Sequence, residues 1–265
     1  MTDTTHRISW AIVSLLVGLA LLPSTAMAQS ASFLDEFKTL DTGRWYVSDG
    51  WANGDHQNCI WSTGMVWAAD GLLNVGFAPE PEGDRQYSCG EIQSRQAYGY
   101  GTYEARFKTP TGSGLNAAFF TYIGPQQDKP HDEIDFEILL KDTSIVETTT
   151  FVDGKSGDGK VGSGQQHTLP YSADSDFIDY AVTWEPNHIR YYVNGVLLRT
   201  MTDPATIPTH PQRVFFSIWG SDTLTDWMGE MEPPTKTLAM AIDWVAFTAQ
   251  GETCAFAQSV LCKQQ

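Results

Sequence analysis

Residues 131–139 alternate between acidic and large apolar side chains, and this pattern constrains the fold more than any other segment. The run reads His-Asp-Glu-Ile-Asp-Phe-Glu-Ile-Leu, with acids at Glu133, Asp135 and Glu137. Successive side chains of a β-strand point to opposite faces. The segment therefore predicts a strand with one acidic face and one apolar face that belongs to a core.

The three carboxylates on this face repel one another, and the segment contains no Lys or Arg to offset the repulsion. Such repulsion keeps a proton on a carboxyl near neutral pH, as a general acid requires. Two working carboxyls are also what glycoside hydrolysis needs. From the residues alone two other interpretations stay open, namely the solvated face of an ordinary amphipathic strand and a site for a hard cation.

Strand patterns recur along the rest of the chain. Asn194-Gly195 is a strong hairpin signal between the apolar segments 188–193 and 196–201. No long amphipathic helix follows residue 28, so residues 29–265 are predicted to form one all-β domain of two packed antiparallel sheets. The other predicted strands are 72–78, 102–108, 117–123, 178–184, 213–219 and 240–247.

The N-terminus has the pattern of a secretory signal peptide. Arg7 precedes an uncharged, mostly apolar run over residues 8–22, and Ala26-Met27-Ala28 is a small-residue cleavage site. The run is short for a membrane span. We therefore expect residues 1–28 to be removed and the mature protein to be secreted or periplasmic, with no membrane span.

The charge of the chain excludes some partners. With 16 Lys and Arg against 32 Asp and Glu, the net charge is −16. Nucleic acids and anionic membranes favour basic surfaces, so neither is an expected partner. A polysaccharide is compatible with this charge, although an acidic one would be mildly repelled.

The four cysteines suggest two disulfides, because an exported chain reaches an oxidising compartment. Proximity in the sequence pairs Cys254 with Cys262. A zinc site is the alternative, but no Cys-x-x-Cys motif or histidine cluster accompanies the cysteines.

Several sequence blocks together resemble glycoside hydrolase family 16. They occur in the order of the family and cover nearly all of the mature chain, and the chain is most similar to secreted endo-β-1,3-1,4-glycanases of the ExoK type. The resemblance implies a jelly-roll (concanavalin A-like) sandwich with a concave substrate cleft, and a disulfide between Cys59 and Cys89. The blocks are 58–61, 89–94, 98–104, 119–125, 133–137 and 219–229, together with the closing segment 246–262.

The same resemblance implies roles for the acids and a set of cleft residues. Glu133 corresponds to the nucleophile, Glu137 to the acid/base, and Asp135 to the partner between them. His131 is either a subsite group or a surface histidine. The expected substrate-binding residues are Trp51, Asn53, Glu91, Phe120, Tyr122, His131, Trp219 and Trp227.

Four positions depart from the pattern of mixed-linkage glucanases. That pattern often has Trp at the position of His131, Arg near Gln93, and Asn and Tyr where this chain has Thr149 and Phe151. The departures leave the catalytic acids in place, but they put specificity for lichenan in doubt.

The resemblance also implies a structural calcium ion, while the chemistry itself needs no cofactor. Asp243 matches the carboxylate ligand, and Gly71 and Glu36 match the backbone donors. Oxygen ligands suit this hard ion. A buried Asp with hydrogen-bonded backbone is the alternative.

The function expected from these features is retaining endo-hydrolysis of β-glucosidic bonds, by a monomer, in succinoglycan or mixed-linkage β-1,3-1,4-glucan. Two other functions stay open. A transglycosylase would use the same covalent intermediate with a sugar in place of water. A lectin-like binding domain shares the architecture, because a fold alone does not establish function.

Overall fold

The computed structural model describes Met1 and residues 32–156, 164–252 and 255–263. The predicted signal peptide over residues 1–28 lies outside the described residues except for Met1, and Cys254 also lies outside them. No helix in the described ranges is long and apolar enough to cross a membrane.

Strands dominate the secondary structure of the described ranges. They are β1 (Phe33–Asp35), β2 (Trp45–Val47), β3 (Cys59–Trp61), β4 (Val66–Ala69), β5 (Leu72–Ala78), β6 (Tyr87–Ser94), β7 (Gly101–Lys108), β8 (Leu115–Ile123), β9 (Asp132–Leu139), β10 (Ile145–Val152), β11 (Lys155–Ser156), β12 (Gln165–Thr168), β13 (Ile178–Glu185), β14 (His188–Val193), β15 (Val196–Met201), β16 (Arg213–Gly220) and β17 (Leu238–Ala249). The α-helices described are the single turns α1 (Thr225–Met228) and α2 (Val260–Lys263). Short 3-10 turns occur at Thr63–Met65, Pro125–Gln127 and Pro204–Thr206.

The strands form two sheets, in which nearly all described pairings are antiparallel. The front sheet has the order β2-β6-β16-β8-β9-β10-β12, with β11 also paired to β10. The back sheet has the order β4-β5-β17-β7-β13-β14-β15, with β1 paired to β17. The prediction of an all-β jelly-roll sandwich is confirmed.

The core fills the space between the two sheets with aromatic and branched side chains. Phe136 of β9 and Phe119 of β8 stack in the front sheet, and both are about 1% exposed. Across the core, Phe136 meets Tyr180 of β13 edge-on at 5.5 Å, and Tyr180 stacks on Phe107 of β7 at 4.1 Å. These contacts hold the apolar face of β9 against the back sheet.

Strand β6 joins the sheets. Its first half pairs with β5 of the back sheet, while residues 90–93 pair with β16 of the front sheet. Gly90 lies at the crossing, where an added Cβ would lie only 2.5 Å from the backbone oxygen of Met65. The predicted disulfide between Cys59 and Cys89 is present and links β3 to β6, with both cysteines fully buried. Cys262 is also disulfide-bonded.

The predicted hairpin is confirmed: Asn194 and Gly195 both have positive φ angles, 47° and 76°, as a type I′ turn requires. The sequence patterns missed β10, because its core side consists largely of threonines. Thr148 and Thr150 are fully buried there, and Thr150 donates a hydrogen bond to the carbonyl oxygen of Thr206. On this strand, buried threonines with hydrogen-bonded hydroxyl groups therefore replace the apolar alternation that marks other strands.

Replacing Cys59 and Cys89 together with alanine should lower the free energy of unfolding by ~3–4 kcal/mol, because the bridge restricts the unfolded chain. The sequence separation of the pair is 30 residues. Urea unfolding without reductant measures this difference. An unfolding free energy equal to that of the wild type would contradict the prediction.

Candidate active site

The acidic face of β9 lies on the front sheet and points away from the core, as the alternation predicts. Glu133 pairs with Tyr122 of β8, and Asp135 pairs with Phe120. Glu137, two residues further along the strand, pairs with Ala118. The three carboxyls therefore stand in one row beside a row that carries two aromatic rings.

This row forms part of the floor of a cleft of about 840 Å³. Five neighbouring strands of the front sheet contribute to the cleft: β2, β6, β16, β8 and β9. The lining residues are Tyr46, Trp51, Asn53, His56, Glu91, Gln93, Arg95, Ala118, Phe120, Tyr122, Gln126, Gln127, His131, Glu133, Asp135, Glu137, Arg213, Phe215, Ser217 and Trp219.

The structure brings together the three predicted catalytic acids and seven of the eight predicted substrate-binding residues in this cleft. The exception is Trp227 in α1, which is not among the lining residues. Its ring packs against that of Trp219 with the centroids 6.2 Å apart. Trp227 therefore meets the cleft through Trp219.

Glu133 is held by His131, whose Nε2 lies 2.6 Å from Glu133 Oε2. The hydrogen bond to Glu133 raises the pKa of His131 above its ordinary value, although partial burial opposes the rise. The imidazole also stacks on the Phe151 ring at 5.1 Å. Because it contacts an acid of the row, His131 is a group of the cleft and not an isolated surface histidine.

Glu137 has different surroundings. Asn116 Nδ2 donates a hydrogen bond of 2.8 Å to Glu137 Oε1. Burial raises the pKa of Glu137 to about 8; the Asn116 bond opposes this rise, and the charges of Glu147 and Glu133 add to it. Glu137 therefore carries a proton at neutral pH.

Asp135 is the most enclosed acid of the row, with 3% of its surface exposed. Burial raises its pKa well above the ordinary value, and the charges of Glu133 and Glu137 raise it further. Among the described residues, Oδ2 of Asp135 accepts no hydrogen bond. A protonated Asp135 can donate to Glu133, and that bond would satisfy the otherwise unpartnered oxygen.

Glu91 faces the row from β6. Its side chain is buried, and Ser48 Oγ donates a hydrogen bond of 2.6 Å to Oε1. Burial raises the pKa of Glu91 to about 7, the bond from Ser48 lowers it, and the charge of Glu133 raises it. The charge of Glu133 therefore acts on Glu91, as expected for two acids that line the same cleft.

Sequence reasoning missed two residues that surround Glu137. One is Asn116, its hydrogen-bond donor on β8. The other is Glu147 on β10, which pairs with Glu137 in the register, is 7% exposed and accepts a hydrogen bond from Gln166 Nε2. A single acid in a threonine-rich strand carries no motif, so only strand pairing reveals the proximity of Glu147 to the row.

The residues predicted to hold calcium come together on the back sheet. Asp243 lies at a register shift in β17, between the end of the β5 pairing at Leu73 and the start of the β1 pairing at Asp35. The register therefore brings the chain near Gly71 and near Glu36 to the same point. Within the described residues, no cluster of three or more His, Cys, Asp or Glu could hold a metal ion.

Comparison with known proteins places this site in a family. The family model for "Glycosyl hydrolases family 16" matches residues 53–246. The chain belongs to glycosyl hydrolase family 16. It is 53% identical over 234 residues to the Endo-1,3-1,4-beta-glycanase ExoK of Rhizobium meliloti, covering 88% of this chain and 84% of that protein.

Two further relatives agree. The Beta-glucanase of Bacillus subtilis is 34% identical over 238 residues, covering 89% of this chain and 95% of that protein. Among solved structures, the Bacillus licheniformis beta-glucanase superposes with a TM-score of 0.76 at 33% identity, covering 83% of this chain and 98% of that chain. The fold and the family are therefore shown by both sequence and structure.

Three of the four departures from the mixed-linkage pattern, His131, Thr149 and Phe151, lie beside the acids. On β10, Thr149 pairs with Asp135, and Phe151 pairs with Glu133. Phe151 and His131 stack on one another, so these two departures form one aromatic pair, of which His131 lines the cleft. His131 and Phe151 thus differ from the family pattern at two positions that contact each other, while the row of acids is unchanged.

Replacing Glu147 with glutamine should lower the pKa of Glu137, because a negative charge beside the protonated acid is removed. With Glu137 in its predicted role of acid/base, activity falls as the pH rises through the Glu137 pKa of about 8. In Glu147→Gln this alkaline limb should move to lower pH. The measurement is kcat/KM for polysaccharide hydrolysis against pH.

Glu185→Gln is the matched control, because Glu185 in β13 of the back sheet forms an ion pair with His188, distant from the cleft. It should leave the alkaline limb in place. If the limb of Glu147→Gln also stayed in place, Glu147 would not influence the acid/base.

Proposed function

We propose that the protein is a retaining endo-β-1,3-1,4-glycanase that hydrolyses internal β-glucosidic bonds of mixed-linkage β-glucan or of an exopolysaccharide such as succinoglycan. The observation that carries this proposal is the pair Glu133 and Glu137, which share one strand face but have unlike partners. The printed names of the relatives support the substrate class.

In the first step, protonated Glu137 gives its proton to the glycosidic oxygen, whose bond to the anomeric carbon breaks. The carboxylate of Glu133 attacks that carbon and forms a covalent glycosyl-enzyme. The imidazole of His131, hydrogen-bonded to Glu133 Oε2, favours the ionised form of the attacking group. Burial raises the pKa of Asp135 well above its ordinary value, which favours the protonated form of this carboxyl beside Glu133.

In the second step, Glu137 is a carboxylate and takes a proton from water, and the water oxygen attacks the anomeric carbon. Glu133 leaves as a carboxylate, so the product keeps the β configuration. The chemistry requires no cofactor. A raised pKa suits Glu137 to both steps, because the same group must release and recover a proton near neutral pH.

The endo mode of attack is supported by the shape of the cleft. Its lining crosses five strands, from Tyr46 on β2 to Glu137 on β9. Neighbouring strands are ~4.8 Å apart, so the floor spans several sugar rings. Aromatic side chains along it match the apolar faces of such rings.

A transglycosylase is the second candidate, because the covalent intermediate is common to both reactions. Product analysis on succinoglycan, lichenan and laminarin separates the two. Hydrolysis gives only shorter chains, while transfer also gives chains longer than the substrate. Binding without product from any of the three would favour a lectin-like domain instead.

The proposed location is outside the cytoplasm, with residues 1–28 removed as a signal peptide and residues 29–265 acting as one catalytic domain. The apolar run over residues 8–22 and the buried Cys59–Cys89 disulfide support export. The proposed active form is a monomer, and its partner is the polysaccharide.

Calcium is proposed as a structural ion held by the carboxylate of Asp243 and the backbone carbonyls of Gly71 and Glu36. Asp243 and Glu36 line one small cavity on the back sheet together with Arg106 and Lys263. Arg106 Nε lies 3.3 Å from Asp243 Oδ2, so a bound ion would share this carboxylate with the guanidinium. When bound, the ion would tie β1, β5 and β17 together.

Azide rescue should distinguish the two glutamates. Glu133→Ala should be nearly inactive even on an activated aryl β-glycoside, and azide entering the vacated space should give an α-glycosyl azide. Glu137→Ala should still form the glycosyl-enzyme from this substrate, so azide should give a β-glycosyl azide. Early-time NMR of the products reads both configurations.

Glu185→Ala is the control for azide rescue, and it should give ordinary β product with or without azide. If the wild type released α product first, both the retaining mechanism and the two roles would be wrong.

Adding Ca²⁺ to chelator-treated protein should raise the Tm, because a ligand that binds only the folded state stabilises it, by ~2.7 kcal/mol at a hundred times its Kd. Asp243→Asn should remove this response. The exposed Asp84→Asn variant should retain it, since Asp84 is 81% exposed. A Tm that is independent of Ca²⁺ in the wild type would contradict the proposed metal site.

A further inference from the structure

Two arginines line the cleft without a carboxylate partner. Among the described residues, Arg44, Arg85 and Arg106 form ion pairs, whereas Arg95, Arg190, Arg199 and Arg213 do not. Of these four, Arg95 and Arg213 line the cleft. The chain carries twice as many acids as Lys and Arg together. Acids are thus plentiful on this chain, yet the two arginines that face the proposed substrate site have no carboxylate partner.

Arg213 is held in one orientation by a polar network. Its NH1 donates a hydrogen bond of 2.8 Å to Gln93 Oε1, and Gln93 Nε2 lies 3.5 Å from Ser48 Oγ. Ser48 in turn donates to Glu91. The Glu91 carboxylate is thus engaged by Ser48, and the guanidinium of Arg213 remains available to a ligand.

The register places Arg213 level with the predicted nucleophile. Arg213 of β16 pairs with Tyr122 of β8, which pairs with Glu133 of β9. Two strand spacings separate the backbones of Arg213 and Glu133, or ~10 Å. The backbone of Arg213 is therefore separated from that of the predicted nucleophile by the full width of strand β8.

Arg95 extends the positive charge at the same end of the cleft. Its Nε donates a hydrogen bond of 2.8 Å to the carbonyl oxygen of Thr42, and its guanidinium lies over the Tyr46 ring at 5.6 Å. The side chain is exposed, while Arg213 is half-buried. The cleft is thus lined by two cations at this end, the exposed Arg95 and the more deeply placed Arg213.

We propose that Arg213 and Arg95 form a subsite for a carboxylate group on the polysaccharide, so that the enzyme prefers an acidic glycan. This inference rests on the proposed function. A guanidinium offers only donors, and a carboxylate matches its paired N–H groups better than a hydroxyl does. The subsite also offsets the repulsion between an acidic glycan and a chain of net charge −16.

A matched pair of substrates tests the subsite. One is mixed-linkage β-glucan, and the other is the same glucan with part of its C6 hydroxymethyl groups oxidised to carboxylates. Arg213→Gln should reduce kcat/KM on the oxidised glucan by about tenfold more than on the untreated glucan. Arg213→Lys should lose less of the preference, because it keeps the charge but not the planar fork.

Arg95→Gln tests the outer cation without altering the interior of the sheet. It should reduce the preference for the oxidised glucan and weaken the salt dependence of KM on that substrate, since it removes a long-range attraction. Arg190→Gln is the charge-matched control, because Arg190 lies on β14 of the back sheet. Arg190→Gln should leave the kinetic constants on both glucans unchanged.

Succinoglycan before and after removal of its acidic substituents distinguishes the source of the carboxylate. If Arg213→Gln lowers kcat/KM more on untreated succinoglycan than on succinoglycan without its acidic substituents, the subsite binds a substituent. If it lowers kcat/KM selectively only on the oxidised glucan, the subsite binds a uronate. Equal losses on charged and uncharged substrates would show that Arg213 acts only by positioning Gln93. Equal losses, or no loss, would overturn the proposal.

Binding in the Glu133→Gln background keeps the subsite separate from the proposed reaction. Affinity electrophoresis through gels containing oxidised or untreated glucan needs no turnover. If the enzyme cleaved none of the glucans but bound the oxidised one better through Arg213, only the proposed function would fail. Equal retardation by both gels would overturn the subsite whatever the activity.

Discussion

The crowding of three carboxyls along one face of β9, where Asp135 is buried and Glu133 and Glu137 are partly exposed, is the constraint on which the rest of the site depends. Unpaired buried charge is costly, so each acid must find a donor or retain a proton. His131 contacts Glu133 and Asn116 donates to Glu137, while burial raises the pKa of Asp135 and so favours its protonated form. The opposite face of β9 makes this arrangement stable, because its apolar side chains are packed between the sheets.

Retained protons link the chemistry of the site to the stability of the fold. Burial raises the pKa of Glu91 to about 7 and that of Glu137 to about 8, from an ordinary value of 4.5. Between the ordinary and the raised pKa values, the folded state binds more protons than the unfolded state. The free energy of unfolding therefore decreases as the pH rises through this window. A site that holds protons for catalysis thus opposes stability at neutral and alkaline pH.

The cleft is organised by two polar rows with an aromatic floor between them. One row is the acids of β9, and the other runs from Glu91 through Ser48 and Gln93 to Arg213. Between the rows, Phe120 and Phe215 stack with their centroids 4.8 Å apart. This layout offers polar contacts to the edges of a sugar chain and apolar contacts to its ring faces. Strand β6 sustains it, because the same strand carries Glu91, crosses into the back sheet and forms the disulfide.

The sequence by itself determined the strand β9, its two faces, the hairpin at Asn194 and the family with its expected acids. These features follow from residues adjacent in the chain, where the period of two and the turn chemistry act locally. Strand β10 was not predicted, because the side chains on its core face are largely threonines whose hydroxyl groups form hydrogen bonds. The disulfide followed from the resemblance and not from the spacing of the cysteines.

Only the tertiary structure decided which distant residues surround the acids. Glu147 and Asn116 meet Glu137 through strand pairing, Arg213 reaches Gln93 from another strand, and Trp227 meets the cleft only through Trp219. No local pattern encodes these contacts, because they depend on the register between strands far apart in the chain. Burial, and with it the raised pKa values, exists only after the sheets have packed. The different surroundings of Glu133 and Glu137 are therefore a property of the fold.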